Sequence, residues 1–289
     1  MVWANFHTHT KYCDGNGEIT DFAEAALMRD IVCLGFSSHA PLPFDTDWTM
    51  PPSLLEAYCD DCRRAKREYE GKLKIFLGLE VDYIRGISCP RMPEFSALGL
   101  DYVIGSVHFF ETDCGGTWLT VDGSPEEFQR GITRLYDSSV RKAVERYYAL
   151  IREMVRSHPP DIVGHLDLVK KNNTGEKYFS EEESWYRDAV FETLDAIAGT
   201  GVIVEVNTGG LIRKRTDAIY PSPWILGRCH ELKIPIMLNA DAHSPDEVCG
   251  YFPETASMLR GLGFTTLCVL NSCGWDEVGF SENGFWNCL

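Results

Sequence analysis

Short apolar runs recur along this chain, and nearly every one stops at a histidine or a carboxylate. Residues 1–6 lead into His7-Thr8-His9, residues 31–37 into His39, 74–79 into Glu80, 102–107 into His108 and 161–164 into His165. Residues 202–206 carry Glu205 and precede Asn207, and 234–239 lead into Asp241-Ala242-His243. Between them lie stretches with helix-opening signals. Ser53 with Glu56 predicts a capping box and a helix to about residue 69, and Ser124-Pro125-Glu126-Glu127 predicts another running towards residue 156. Residues 180–183 and 244–247 repeat the signal, the second opening a helix to about residue 262. Strands alternating with helices imply a parallel sheet, and continuous apolar runs imply that both its faces are buried. A closed β/α barrel gathers functional residues at the carboxyl ends of all its strands, whereas an open doubly wound sheet does so only at a switch point. Polar residues after six or seven different strands favour the closed ring. The expectation is one α/β domain over residues 1–289, the tail after about residue 270 unassigned.

The run ends share a chemistry. In an H-x-H at a strand's end both imidazoles lie on one face, because side-chain direction alternates with period two. Together they offer a claw for a divalent metal. His7, His9, Asp14, His39, Glu80, His108, His165, Asp241 and His243 form the candidate ligand set, which takes six of the eight histidines. His158, beside Pro159-Pro160, and His230, in a helical stretch, fall elsewhere and read as ordinary histidines. One tetrahedral zinc takes about four donors, so this set suits two or three ions bridged by carboxylates such as Glu80 and Asp241. Clusters of this kind hydrolyse phosphate esters by turning water into hydroxide and neutralising phosphoryl oxygens. Imidazole-rich shells favour zinc, manganese or iron over magnesium.

A formal net charge of −16 disfavours nucleic acid as a partner. No apolar run is long enough to span a membrane, and no signal peptide is apparent. The eleven cysteines therefore read as reduced thiols of a cytoplasmic protein. Cys59 and Cys62 form a lone C-x-x-C in a helical stretch with no second pair, a poor structural zinc site; Cys13 reads as a small buried thiol near the H-x-H.

The motifs H-x-H-T, S-S-H-A-P-L-P (37–43), G-L-E-V-D-Y (78–83), G-S-V-H-F (105–109), V-G-H-L-D-L-V-K-K (163–171) and N-A-D-A-H-S-P (239–245) are similar to those of the PHP (polymerase and histidinol phosphatase) superfamily. More narrowly, His39-Ala40-Pro41-Leu42-Pro43, residues 165–171 and 205–213, and Tyr220-Pro221-Ser222-Pro223 resemble the monofunctional histidinol-phosphate phosphatases of histidine biosynthesis. The resemblance implies a distorted (β/α)7 TIM-like barrel with a trinuclear metal site. Carried over by position, His7, His9, Glu80 and Asp241 would hold one ion, and Glu80, His108 and His165 a second. Asp14, His39 and His243 would hold the third. Many members have histidine where this chain has Asp14, and Ser38 and Asn239 stand where an acidic residue and serine are common.

The implied reaction is hydrolysis of L-histidinol phosphate to L-histidinol and phosphate by metal-activated hydroxide. Asp241, His243, Glu80 and Arg213 would be the catalytic residues. A phosphate calls for guanidinium or ammonium partners. Arg213, Lys170 and Lys171 are the basic residues nearest in sequence to ligand-bearing strand ends, with Asn207 a further substrate contact. Histidinol's amine and imidazole call for an acidic or aromatic wall, for which Asp113 and Trp118 are the candidates. The alternatives are a PHP-type phosphoesterase acting on a nucleotide or another small ester, a nuclease, and a non-catalytic metal-binding module.

Overall fold

The computed structural model describes residues 2–112 and 118–286. Its strands in chain order are β1 (Trp3–Asn5), β2 (Ile31–Phe36), β3 (Lys74–Asp82), β4 (Tyr102–Ser106), β5 (Phe109–Thr112), β6 (Trp118–Thr120), β7 (Ile162–Val163), β8 (Ile203–Asn207), β9 (Ile236–Asn239), β10 (Thr266–Asn271), β11 (Gly274–Ser281) and β12 (Gly284–Phe285). β1, β2, β3, β4, β7, β8 and β9 lie side by side in that order, all parallel. First and last strands then meet. Thr8 and Ala242 form a parallel bridge, in which His9 N–H donates to the Ala242 carbonyl (2.8 Å) and Ala242 N–H to the His7 carbonyl (3.0 Å). Phe6 N–H donates to Asn239 Oδ1 at 2.8 Å beside them. The result is a nearly closed seven-stranded β/α barrel, as the alternation of runs predicts.

Tyr102 fills the barrel's interior below the site. Its hydroxyl donates to the carbonyls of Phe6 (2.6 Å) and Phe36 (3.2 Å). Gly35 and Gly78 make room for it, since a Cβ on either would come within 2.5 Å of the phenol. Trp275 packs against both Phe6 and Tyr102, at ring separations of 5.9 and 6.3 Å. The tail therefore has a place in the fold. β10, β11 and β12 form an antiparallel sheet, joined to the first strand by a Val2–Phe285 bridge, which sets that indole against the barrel's amino-terminal end.

Several elements differ from expectation. β3 runs two residues past Glu80, to Asp82. The segment read as a loop, 111–123, holds the end of β5 and all of β6, which pair antiparallel. The helix expected from 124 to 156 is two, Pro125–Leu135 and Val140–Ser157, broken where Asp137 and Ser138 take positive φ. Ser124 and Glu127 do form their capping box, whereas the helix Leu55–Glu68 is entered from a 3₁₀ turn at Pro52–Leu54 without a side-chain cap. After Ser244 the chain makes only a 3₁₀ turn, Pro245–Glu247, and the helix begins at Phe252 behind a left-handed Tyr251.

Candidate active site

The barrel collects the expected ligands at its carboxyl end. His7 and His9 flank the Thr8 bridge and so point the same way. Glu80 projects from β3, fully buried, and its two oxygens face different neighbours. Oε2 lies 3.2 Å from His7 Nε2, 3.4 Å from His9 Nε2 and 3.0 Å from His39 Nδ1. Oε1 lies 3.0 Å from His165 Nε2 and 3.6 Å from His108 Nε2, and accepts from Ser106 Oγ at 2.6 Å. Asp241 Oδ1 approaches His9 Nε2 (3.2 Å) and His7 Nε2 (3.7 Å). Asp241 itself sits at φ 50°, a left-handed conformation that aspartate tolerates better than most residues. At the outer edge, donor atoms of His9, Asp14, His39 and His243 all lie within 4.8 Å of one another. His9 thus faces the outer set as well as the inner one.

These atoms fit divalent ions. His7 Nε2, His9 Nε2, His39 Nδ1 and Glu80 Oε2 are buried without a hydrogen-bond partner, although each is crowded by others of its kind. Buried polar atoms are ordinarily paired, so a cluster of unpaired imidazole nitrogens around a carboxylate oxygen is what a cation would satisfy. The electrostatics agree. Burial opposes charge on Glu80, yet His39, His7 and His108 outweigh it and hold its carboxyl well below the ordinary range. Burial also opposes charge on Asp241, and Arg213 and His7 overcome it to hold that carboxyl low too. Burial, with His243 and His39 alongside, pushes the His9 imidazole down to about 3. The ionised carboxylates and the neutral His9 are in the form a metal requires, whereas His7 and His108, where neighbouring carboxylates outweigh burial and raise the basicity, would release a proton on binding one.

Two residues outside the expected set back the ligand rings. Asp82 Oδ1 lies 2.8 Å from His108 Nδ1, and Glu205 Oε1 lies 2.6 Å from His7 Nδ1. Burial lowers the basicity of His108, but Asp82 and Glu80 lift it to about 10. Asp82 follows Glu80 by two residues on one strand, so the period of the strand puts both on the same face. That spacing was the available signal.

The residues expected to meet substrate separate into two groups. A cleft of about 380 Å³ opens over the cluster, and Arg213 and Lys171 line it. Arg213 donates through Nη2 to Asp241 Oδ2 at 3.0 Å and through Nη1 to the Asp241 carbonyl. Lys171 Nζ reaches the Asp122 carbonyl (2.5 Å) and Oδ2 (3.1 Å). Lys170 is not brought there: its buried ammonium pairs with Asp167 at 2.7 Å and donates to the Ile219 carbonyl and Ser222 Oγ. Asn207 lies beneath the cleft, fully buried, spending its amide on Glu205 and Asp241. Trp118 stacks on Phe44 (4.8 Å, 13°) in a small apolar cluster, and Trp48 takes the cleft position instead. Asp113 lies outside the described residues. The cleft's outer wall is Asp47, Trp48, Asp122 and Glu127. His158 and His230 lie away from the cluster, against Tyr83 and Phe264, and Cys59 and Cys62 are buried free thiols.

A profile of the PHP domain family matches residues 5–209. The chain belongs to that family. Among its relatives is the histidinol-phosphatase of Bacillus subtilis, 32% identical over 263 residues, covering 86% of this chain and 96% of that one. The crystal structure of histidinol phosphate phosphatase from Lactococcus lactis, complexed with zinc, L-histidinol and phosphate, superposes with a TM-score of 0.65 at 20% identity, over 99% of both chains. At that identity the likeness speaks for the fold of this PHP-domain chain, and its ligands remain those of the relative.

Proposed function

We propose that this PHP-family chain is a metal-dependent phosphomonoesterase that hydrolyses L-histidinol phosphate to L-histidinol and phosphate. The observation that carries the reading is Glu80, whose two oxygens serve two adjoining donor sets beneath a cleft that also holds a guanidinium. The histidinol-phosphatase name of a relative matched over nearly its whole length supports the choice of substrate.

His7, His9, Glu80 and Asp241 would hold one ion, Glu80, His108 and His165 a second, and Asp14, His39 and His243 a third, with zinc, manganese and iron all compatible with such donors. When bound, such ions acidify water and neutralise phosphoryl oxygens. The chain's own residues do the rest. Arg213, anchored on Asp241, keeps further N–H groups free for a phosphoryl oxygen, and Lys171 adds a second cation on the same cleft. Trp48 offers an aromatic face for the imidazole, and Asp47, Asp122 and Glu127 offer carboxylates for the ammonium. Asp241, His243 and Glu80 line the same cleft and would be the catalytic residues there. Water attacks phosphorus in line as the P–O bond to the alcohol breaks, and the proton that the water loses is balanced by one gained at the departing alkoxide oxygen. We read the chain as one catalytic domain. Its free cysteines accord with a reducing compartment, and no helix among the described residues is long and apolar enough to cross a membrane, so we place it in the cytoplasm.

The test is metal content by mass spectrometry together with turnover of L-histidinol phosphate, a nucleoside monophosphate and a chromogenic phosphate ester. The reading expects bound divalent metal and clear preference for histidinol phosphate. Preference for the nucleotide would move the assignment to another phosphoesterase, and a folded, metal-loaded protein that hydrolyses none of the three would overturn it.

A further inference from the structure

One buried carboxylate outside the ligand set touches two of its members at once. Glu205, in the middle of β8, is fully buried, and four nitrogens converge on it. Oε1 lies 2.6 Å from His7 Nδ1 and accepts from Asn239 Nδ2 at 3.0 Å. Oε2 accepts from the His165 backbone N–H at 2.8 Å and from Asn207 Nδ2 at 2.9 Å. The amide orientations are not free. Asn239 Oδ1 accepts from Phe6 N–H and Asn207 Oδ1 from Gly209 N–H, both at 2.8 Å, so each amide must turn its NH₂ towards Glu205. Three forced donors leave an ionised carboxylate as the group that fits. The same carboxylate then accepts a hydrogen bond from His7 Nδ1–H, which fixes the tautomer. His7 is left with a bare Nε2, the atom that has no partner and faces Glu80 and Asp241.

We propose that Glu205 is a positioning residue shared by the first two ion sites. It sets the tautomer and direction of His7 in one, and holds the backbone from which His165 reaches the other, so the two sites fill as a coupled pair. The inference rests on the cluster holding ions. Asp82 provides the contrast, because its Oδ1 takes the Nδ1 (2.8 Å) and backbone N–H (3.3 Å) of His108 and so serves the second site alone. Outer-shell carboxylates of this kind are worth about 10–100-fold in metal affinity. Glutamine keeps the shape of Glu205, but must aim its own NH₂ at one pair of donors.

The experiment strips wild-type protein, Glu205→Gln and Asp82→Asn with a chelator. Each is then titrated with zinc against a chromogenic competitor, with the bound metal counted by mass spectrometry. Glu205→Gln is expected to weaken two ions by about tenfold or more, and Asp82→Asn only one. A folded Glu205→Gln protein that binds both ions within about twofold of wild type would overturn the proposal. Should that variant not fold, zinc-loaded wild-type protein with ¹⁵N-labelled histidine decides. His7 carrying its proton on Nδ1 supports the proposal, and a proton on Nε2 overturns it. Wild-type protein that takes up no zinc, manganese or iron would instead remove the metal reading itself, a separate failure visible before any variant is compared.

Discussion

Arg213 shows how much of the proposed chemistry depends on single side chains. It is tethered to Asp241 and also lines the cleft, so its removal should disturb a ligand and a phosphate contact together. A hydrogen bond to a charged group contributes about 1.5–3 kcal/mol, so Arg213→Ala should lower kcat/KM for histidinol phosphate by about 10–100-fold, with a raised KM. An unchanged KM would reject its role. Lys170 and Lys171 make the complementary case. Breaking a buried ion pair from one side costs about 3–5 kcal/mol, so Lys170→Met should lower stability by that order while leaving KM within about twofold. Lys171→Ala should raise KM with little effect on denaturant unfolding; the opposite pattern would exchange their roles. The sequence could not separate these neighbours. A 3₁₀ turn at Leu168–Lys170 sends consecutive side chains in different directions, and nothing local to two adjacent lysines encodes which one finds Asp167. The ligands other than Asp14 were legible for the converse reason, since each follows an apolar run within a few residues and every strand of a barrel ends at the same rim. Glu205 escaped because a strand-end criterion looks past a residue inside β8, and Asp82 because the apolar run stops at Leu79 whereas β3 continues to Asp82, although two-residue spacing already aligned them with Asn207 and Glu80.

At the scale of elements, alternation and apolar runs were enough for the parallel strands, while interruptions inside helical stretches were not. Asp137 and Ser138 break a helix because two successive residues adopt left-handed backbone, a choice that their polar side chains permit but do not announce. The helix after that break carries Glu153, which joins three elements. Its carboxylate accepts from Arg85, just past β3, and from Arg146 Nη1 at 3.1 Å, while Arg146 Nε reaches Glu111 of β5 at 2.9 Å. Partial burial opposes its charge, but Arg85 and Arg146 prevail and hold its carboxyl below the ordinary value of 4.5. A depressed carboxyl stabilises the fold above its unfolded value, and that stabilisation is lost as pH falls through the folded one. Melting temperature should therefore fall as pH drops below about 4.5. Glu153→Gln should melt lower than wild type at pH 7, with the gap closing in acid. A gap that stayed constant from neutral pH to about pH 3 would show the arginines to be inert for stability, as exposed pairs often are.

For the molecule as a whole, the cluster is both the proposed site and a liability of the fold. A chain of net charge −16 closes its barrel by bringing Asp14, Glu80 and Asp241 to one rim and burying imidazoles without partners beside them. Burying those nitrogens and a carboxylate oxygen without hydrogen-bond partners costs free energy. Bound cations would offset that cost directly, and because the unfolded chain does not hold the donors together, their binding adds to folding stability. At free metal about a hundred times Kd, one site contributes about 2.7 kcal/mol. For a chain of this length each kcal/mol moves the melting temperature by about 2–4 °C, so chelation should lower it by about 5–10 °C for each site emptied. Adding back a single metal should restore the loss in steps that follow the number of ions bound. Calorimetry with and without a chelator reads this without any substrate. A melting temperature indifferent to chelation, in protein shown to have carried metal, would mean that the rim is held by the barrel alone.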